Sequence, residues 1–316
     1  MSVAPGVPPI TTPPYGIIIK ALRSGIAIPF LGAGASMVGY TKGDLTYLPS
    51  GSDLARNLAR DAEFPSANDY DLTDLSKVSS YYVDVSSRDL LRRELRSVFA
   101  DEKKKYCCNN LHRFLAQVAD KTMIVTTNYD TLLEQAFLEA KKPYDLVVYP
   151  ADNEDYANAI FWWRDGVSEP EVLKPQDIDI EDLGKTNVIY KMHGSVQNAV
   201  GKWDSFVITE EDYIDFLSRM ESAVPSAFSA FFASRSFLFL GYGLRDWNLR
   251  VLLKKIRKKV GNSPDQSRLS QPISWALLLD PSPFERKIWD RRGVDIYDMK
   301  LEDFVEAMQR RWKPEP

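Results

Sequence analysis

The sequence predicts an α/β fold in which a Rossmann-like parallel sheet carries helices on both of its faces. Short apolar runs of strand length alternate with longer segments whose apolar residues recur every three or four positions. Four of the short runs end in glycine or small polar residues, which is typical of buried parallel strands where they deliver a loop. Because ligands of open α/β sheets bind at the carboxyl edge of the strands, we expect the four loops to meet at one crevice.

The N-terminal part of the chain predicts an extended arm followed by the main domain. Residues 1–14 contain five prolines and almost no charge, so they cannot form a helix. They are either a disordered tail or an arm that lies on a neighbouring subunit. The main domain is expected over residues 15–316, with a helical segment at about 65–120 where apolar residues follow helical spacing. Its other early elements are expected to be a helix over 15–25, a strand over 26–31, a helix over 51–62 capped by Ser52 or Asp53, a strand over 123–127 and a helix over 130–140.

Residues 143–185 differ in character from the segments around them. They hold several prolines, many acidic residues and the pair Trp162-Trp163, and they predict a loop-rich insertion. Since aromatic pairs and extended arms favour interfaces, this pair and the arm 1–14 indicate a homo-oligomer. The later elements are expected to be strands over 188–192, 206–209, 236–240, 273–279 and 294–297, and helices over 210–219, 222–233, 246–260 and 301–312.

The expected helix 246–260 carries five basic residues between Lys254 and Lys259. Basic residues near the C-terminal end of a helix suit its dipole, so this run is read first as a solvated face. A nucleic-acid-binding patch is the alternative. The net charge of −4 gives no general attraction to nucleic acid or to an anionic membrane.

Composition narrows the class of protein further. No apolar run approaches the roughly 20 residues of a membrane span, and no signal peptide is evident, so a cytoplasmic protein is expected. The two cysteines, Cys107 and Cys108, are adjacent, and the chain has only two histidines. A structural zinc site needs four ligands that usually come from two spaced pairs, so no zinc module is expected. The cysteines are read as two reduced thiols in or beside a helix.

The first and last loops of the set are rich in glycine. Gly32-Ala33-Gly34-Ala35-Ser36 and Gly241-Tyr242-Gly243 each follow an apolar run, and their glycines let the backbone approach a pyrophosphate closely. The first loop alone could equally be a tight turn, because it lacks the full dinucleotide-binding fingerprint.

The two middle loops carry the residues best suited to chemistry. Asn128 can hold a ribose hydroxyl or a water through its amide, whereas Asp130 can bind a ligand or cap the following helix. His193 follows an apolar strand and precedes Gly194, and a neutral imidazole there can take a proton from a hydroxyl group. A single histidine is more often structural, and His112, inside an expected helix, is read that way.

In this order the motifs resemble the sirtuin family, over roughly residues 20–300. The Thr126-Thr127-Asn128-Tyr129-Asp130 and Gly241-Tyr242-Gly243 forms are most similar to the divergent sirtuin-like proteins of bacterial antiphage defence. The resemblance implies that residues 15–316 form an NAD-binding catalytic domain. In it, Asn128 would order the reacting ribose, His193 would relay a proton from a ribose hydroxyl, and Asp130 would accept from the nicotinamide carboxamide. The remaining cofactor-binding positions that it implies are Gly32, Ala33, Gly34, Ser36, Thr127, Gly194, Gly241, Gly243 and Asp280, of which Asp280 also suits a simple turn before Pro281.

Two departures from the deacylase sirtuins bear on the substrate. Met37-Val38-Gly39-Tyr40 replaces the Pro-Asp-Phe-Arg segment that follows the first loop, and residues 203–210 stand where those sirtuins have a Phe-Gly-Glu segment beside the acyl-lysine tunnel. The expected absence of a zinc module adds to these two differences. The resemblance therefore implies an NAD+ glycohydrolase that releases nicotinamide and ADP-ribose, with activity that is latent until infection. The chain shows no sensor domain, which favours a separate partner such as a HerA-like ATPase. A protein deacylase or ADP-ribosyltransferase is the second hypothesis, and a nucleic-acid-binding or nuclease subunit of a defence complex is the third.

Overall fold

The strands of the protein form one large, mostly parallel sheet and one small hairpin. The computed structural model describes residues 12–40, 44, 46–100, 106–196, 201–219, 223–243 and 273–312. Within these residues the strands are β1 (Ala27–Leu31), β2 (Met123–Thr126), β3 (Tyr144–Val148), β4 (Ile160–Trp163), β5 (Glu171–Leu173), β6 (Asn187–Lys191), β7 (Gly194–Ser195), β8 (Ser205–Phe206), β9 (Ser236–Leu240), β10 (Ser274–Leu278) and β11 (Val294–Asp298).

Eleven helices surround the strands in the same described ranges. A short 3₁₀ helix, Ala33–Met37, follows β1 directly. The α-helices are α1 (Tyr15–Arg23), α2 (Gly51–Asp61), α3 (Asp69–Leu72), α4 (Leu75–Val85), α5 (Arg88–Phe99), α6 (Asn110–Val118), α7 (Leu132–Glu139), α8 (Glu210–Ser218), α9 (Ser226–Ala233), α10 (Pro283–Asp290) and α11 (Leu301–Arg311).

The large sheet has nine strands in the order β11-β10-β9-β1-β2-β6-β3-β4-β5. From β11 to β3 every neighbouring pair is parallel, whereas β4 is antiparallel to both of its neighbours, β3 and β5. The strands β9, β1, β2 and β6 therefore lie side by side at its centre. Their carboxyl ends carry the four loops identified in the sequence, and the fold brings these loops to one edge.

Both faces of the sheet are buried, which explains why the central strands are apolar throughout. One face packs against α1, α6, α7 and α11, through residues such as Phe114 and Phe304. The other packs against α8, α9 and α10, through residues such as Phe228 and Trp289. The prediction of a Rossmann-like parallel sheet with helices on both faces is confirmed.

Helices α2, α4 and α5 form a separate layer beside the carboxyl edge. Their apolar residues make a small core of their own with the hairpin β7–β8, in which Leu58, Leu91 and Phe206 are buried. The helical segment expected at about 65–120 corresponds to α3, α4, α5 and α6. Helix α2 begins at Gly51 as expected, but its N-cap is Ser50 instead of Ser52 or Asp53, because the side chain of Ser50 accepts from the amide of Asp53.

The segment 143–185, expected to be a loop-rich insertion, contributes three strands, β3, β4 and β5. Trp162 and Trp163, which motivated an interface, are buried in the core of this same chain. Trp162 donates to the buried Asp145 and packs near Phe228. This pair therefore gives no support to a homo-oligomer. The arm residues 1–11 and the expected helix 246–260 lie outside the described residues.

No helix in the described ranges is long and apolar enough to cross a membrane.

Candidate functional site

A cavity of about 700 Å³ lies at the carboxyl edge of the central strands. Its volume falls within the range of small-molecule sites, which is roughly 300–1,000 Å³. All four loops contribute to its lining, and the helical layer closes one side. The predicted site residues that line it are Gly32, Ala33, Gly34, Ser36, Thr127, Asn128, Asp130, His193, Gly241 and Gly243.

The two glycine-rich loops interlock at the floor of this cavity. The amide of Gly34 donates to the carbonyl oxygen of Gly241 at 2.9 Å. Gly241 has a φ of +66°, and a Cβ there would lie 2.1 Å from the amide nitrogen of Ala35. Glycine is therefore required here by the contact between the loops themselves. Ala33 and Gly243 are exposed at the cavity surface.

Three polar side chains from the first two loops form one network. Nδ2 of Asn128 donates to the carbonyl oxygen of Gly32 and to Oγ of Ser36, both at 3.1 Å. Oγ of Ser36 in turn donates to Oδ2 of Asp130 at 2.8 Å. With its amide hydrogens used in this way, Asn128 presents Oδ1 as the end that can accept from a ligand.

Asp130 serves the fold as well as the cavity. Its Oδ1 accepts from the amide of Leu132 at the start of α7, and its Oδ2 accepts from Ser36. The N-cap of α7 is Thr131, so Asp130 lies one residue before the cap position instead of at it, and it bonds to the first amide of the helix. Each carboxylate oxygen keeps a second lone pair, so a ligand contact is compatible with both bonds.

His193 lies among aromatic side chains at the cavity wall. Its ring meets Tyr213 and Phe216 edge-on, with centroid distances of 5.6 and 5.0 Å. Burial lowers the pKa of His193 to about 3, because the charged imidazolium would lose its hydration. The imidazole is therefore neutral at physiological pH, and the same burial makes it a weaker base than a solvated histidine.

His112, the other histidine, supports the site from behind. It is buried at the start of α6, where its Nδ1 accepts from the amide of Asn109. Asn109 donates in turn to the carbonyl oxygen of Ala35 at 2.8 Å. His112 thus holds a helix end that braces the first loop, in line with its structural reading.

The helical layer supplies the apolar side of the cavity, through Leu54, Leu75 and Phe99. Arginines one turn apart on α5 attach this layer to the segment after β3, to α8 and to the residue before β8. Arg88 contacts Asp152 and Asp212 at 2.8 Å each, Arg92 contacts Asp152 at 3.0 Å, and Arg96 pairs with Asp204. No lysine or arginine in the described part of the chain lines the cavity.

Two predicted site residues do not line the cavity. Gly194, with a φ of +88°, packs against the backbone of Ser205 in the hairpin, where a Cβ would lie 2.0 Å from the carbonyl oxygen. Asp280 follows β10 and is exposed, and its amide donates to Asp298. Both lie at the same edge of the sheet, further from the network of Asn128 and Ser36.

Sequence reasoning missed a buried ion pair beneath the second loop. Nζ of Lys191, at the end of β6, lies 2.7 Å from Oε1 of Glu134 on α7, and both side chains are almost fully buried. Burial raises the pKa of Glu134, although the nearby ammonium opposes that effect. The available signal was the lysine itself, which directly follows the apolar run Val188-Ile189-Tyr190.

The two cysteines differ in environment, with Cys107 exposed and Cys108 buried. Burial raises the pKa of the Cys108 thiol to about 11, so it stays protonated at neutral pH. Among the residues that the structure describes, no cluster of three or more His, Cys, Asp or Glu side chains is placed to hold a metal ion.

The sequence of the chain matches a known protein family. The model of the SIR2-like domain matches residues 122–297, which is more than half of the chain. The chain is 27% identical over 245 residues to a protein named NAD(+) hydrolase ThsA from Enterococcus faecium, covering 75% of this chain and 41% of that protein. It is 28% identical over 244 residues to an NAD(+) hydrolase ThsA from Acinetobacter baumannii (strain 532279), covering 76% and 41%.

A third relative is named Defense-associated sirtuin 2 and comes from Bacillus subtilis. It is 22% identical over 286 residues, which cover 89% of this chain and 24% of that protein. The chain thus spans less than half the length of each of these three relatives.

Proposed function

Because the chain belongs to the SIR2-like domain family, we propose that it is an NAD+ hydrolase that cleaves the bond between nicotinamide and ribose. The observation that carries this proposal is the single cavity that Asn128, Asp130 and His193 line together with both glycine-rich loops. The names of the relatives from Enterococcus faecium and Acinetobacter baumannii support the same activity.

In this proposal the phosphates of NAD+ lie over the two interlocked loops. Backbone amides and the first turn of α2, at Ser50 and Gly51, would meet the negative charge, since no lysine or arginine in the described part of the cavity wall does so. Gly32, Ala33, Gly34, Ser36, Gly241 and Gly243 would form this part of the site, with Thr127 beside them. Gly194 would act by shaping the chain after His193, and Asp280 would meet the adenosine ribose at the far end.

The reaction replaces the bond from C1′ of the ribose to the nicotinamide nitrogen by a bond from C1′ to a water oxygen. The electron pair of the broken bond passes to the nicotinamide ring, which leaves neutral, and one proton is released. The transition state resembles an oxocarbenium ion, as in glycoside hydrolysis. Oδ1 of Asn128 would accept from the ribose or the attacking water, neutral His193 would take a proton from a ribose hydroxyl, and Asp130 would orient the leaving nicotinamide.

We assign the activity to antiphage defence, in which NAD+ loss halts the infected cell. The name of the Bacillus subtilis relative supports this role. The protein would be cytoplasmic, hold no zinc, form a homo-oligomer and be latent until a partner such as a HerA-like ATPase assembles with it. Light scattering that shows a monomer at micromolar concentration would contradict the oligomer, and tightly bound zinc in elemental analysis would contradict the metal-free site.

The decisive measurement is nicotinamide release from NAD+ by the purified chain, alone and with the products of neighbouring genes. We expect stoichiometric nicotinamide and ADP-ribose in at least one of these mixtures. If NAD+ stays intact in all of them while an acyl-lysine or acceptor peptide is modified, the deacylase or transferase hypothesis replaces this one. The nucleic-acid hypothesis rests on residues 254–259, outside the described residues, and a DNA shift lost on neutralising those lysines would favour it.

A further inference from the structure

The Lys191 ammonium makes four polar contacts in a nearly water-free position. The side chain is 1% exposed. Its Nζ lies 2.5 Å from the carbonyl oxygen of Asp130, 3.3 Å from that of Tyr129 and 3.1 Å from Oγ of Ser195. The fourth contact is the ion pair with Glu134 at 2.7 Å. One cation therefore collects acceptors from the second loop, from α7 and from β7.

These contacts connect the loop that carries Asn128 and Asp130 with the strand end that carries His193. His193 follows Lys191 by two residues on the same strand end, while Asn128 and Asp130 lie on the loop whose carbonyl oxygens Lys191 holds. The backbone adds further links between these segments, from the amide of Met192 to Thr126 and from Val196 to Tyr129. Lys191 thus contacts the carbonyl oxygens of the two residues that directly follow Asn128 on this loop.

The ion pair itself is poor evidence of a role in stability. Buried pairs can often be replaced by apolar residues of similar volume without loss of stability, because desolvation offsets the attraction. All five positions of β6 are buried, and three of its residues are apolar. A leucine or methionine at position 191 would therefore fit the pattern of the strand. Glu134 is needed once the ammonium is present, since an unpaired buried charge is costly.

We propose that Lys191 is a positioning residue for the reaction, which holds the loop of Asn128 and Asp130 in register with His193, and that Glu134 serves to keep the lysine in place. The inference rests on the proposed function, because it concerns the geometry of that same site. It deepens that function by naming two residues that neither touch the ligand nor line the cavity. Displacing a reacting group by about 1 Å can cost on the order of 10²-fold in rate.

The test compares single and double variants of the full chain. Lys191→Met leaves Glu134 unpaired and is expected to unfold more easily and lose activity. The double variant Lys191→Met with Glu134→Leu removes both charges, so its thermal stability should return towards the wild-type value. Its kcat for NAD+ should nevertheless stay at least roughly tenfold below wild type, because nothing then holds the carbonyls of Tyr129 and Asp130. Glu134→Gln keeps the ammonium but removes its counter-charge, so it should unfold more easily than the wild type and retain more activity than the double variant.

Arg164→Met is the matched control. Arg164 contacts the buried Asp145 at 3.2 Å, between β3 and β4 and away from the cavity. This variant should lose stability while its kcat stays at the wild-type value. Hydrogen exchange at residues 127–131 gives a second readout, which should be faster in the double variant than in Arg164→Met.

The outcomes separate this inference from the proposed function. A folded double variant with wild-type kcat and wild-type exchange in the loop would overturn the positioning role. Failure of the double variant to fold, together with failure of Lys191→Leu with Glu134→Met, would also overturn it, since the pair would then be structural. If the wild type cleaves no NAD+ in any mixture, the proposed function fails instead, and the inference is decided by the Kd for ADP-ribose, which it expects to rise at least about tenfold in the double variant.

Discussion

Ser36 and Asp130 are joined by a buried hydrogen bond of 2.8 Å that links the first loop to the second. The same hydroxyl accepts from Nδ2 of Asn128 at 3.1 Å. Ser36 is therefore the central member of a chain in which one residue proposed to bind ribose and one proposed to bind nicotinamide share a single partner. The hydroxyl of Ser36, which the proposed function places near the phosphates, is thus also engaged within the protein.

Ser36→Ala should lower both stability and activity. It leaves buried acceptors of Asp130 and a donor of Asn128 without their shared partner, which costs roughly 1–3 kcal/mol. The kcat for NAD+ should fall by about tenfold or more, because Asn128 loses one of the two contacts that orient it. Chemical denaturation and a nicotinamide-release assay measure the two effects. Ser218→Ala, at an exposed helix end, is the control and should change neither.

Asn128→Ala and His193→Ala should each abolish most NAD+ cleavage without unfolding the protein. Loss of a group that relays a proton typically costs ~10²–10⁴ in rate, and loss of ribose positioning about 10² or more. The double variant should be little worse than either single variant, because groups that act as one unit are not additive.

The control for these two variants is Asn110→Ala, an exposed position on α6. His112→Ala would be a poor control, since His112 is buried and accepts from the amide at the start of its helix. Wild-type turnover by His193→Ala, in an assay where the parent is clearly active, would rule out the proton relay.

Stability should fall as the pH is lowered from about 6.5 towards 4. Burial lowers the pKa of His193 to about 3 and that of His112 to about 4, below the value near 6.5 of an unfolded histidine. Between these values the unfolded chain binds more protons, so acid favours unfolding. For each histidine, the free energy of unfolding should fall by about 1.5 kcal/mol between pH 6.5 and 5, since one pH unit is worth about 1.4 kcal/mol per proton and the unfolded histidine is half protonated at pH 6.5.

Thermal melts across this pH range, compared with those of His112→Gln, isolate the contribution of one histidine. The variant should show a shallower loss of stability on acidification than the wild type does. The raised pKa of Glu134 acts in the opposite sense, and it is common to both proteins, so it cancels in the difference. Parallel pH profiles of the two proteins would show that His112 is not protonated on unfolding.

Gly241→Ala should disrupt both glycine-rich loops. The positive φ at this position alone would destabilise an alanine by about 1–3 kcal/mol. In addition, its Cβ would lie 2.1 Å from the amide nitrogen of Ala35. We expect a lowered melting temperature together with weakened binding of ADP-ribose. Gly243→Ala is the matched control for stability, because a Cβ there meets nothing within 4 Å. Equal melting temperatures for the two variants would contradict this account.

Most strands of the parallel sheet could be predicted from the sequence, because a buried parallel strand is a short, continuous apolar run. The strand Ser236–Leu240 was expected with its observed ends, and β1, β2 and β6 lie within one residue of their expected limits. Each of these four strands ends where one of the four loops of the site begins. The predictions that failed concern contacts between segments that are distant in the sequence. The pair Trp162-Trp163 looks the same whether it packs inside the chain or against another, and only the sheet pairing of β3 with β4 decides it.

One helix could have been predicted from its capping residues but was not. Helix α10 was not expected, although Ser282, Pro283 and Glu285 form a capping box with proline in the first turn. At the site, the grouping of Asn128, Asp130 and His193 followed from their places at strand ends. The contact of Lys191 with the second loop could not follow from spacing, because it depends on how far a long side chain reaches between strands.

The interlocking of the first and last glycine-rich loops limits how this protein can be recombined with its relatives. The two loops are separated by about two hundred residues, yet the amide of Gly34 bonds to Gly241, and a Cβ at Gly32 would lie 2.7 Å from the carbonyl oxygen of Gly241. A chimaera that imports one loop with a bulkier residue at the contact would collide with the native partner. The two loops must therefore be transplanted together, and insertions between them are tolerated only where they leave this distant pair in contact.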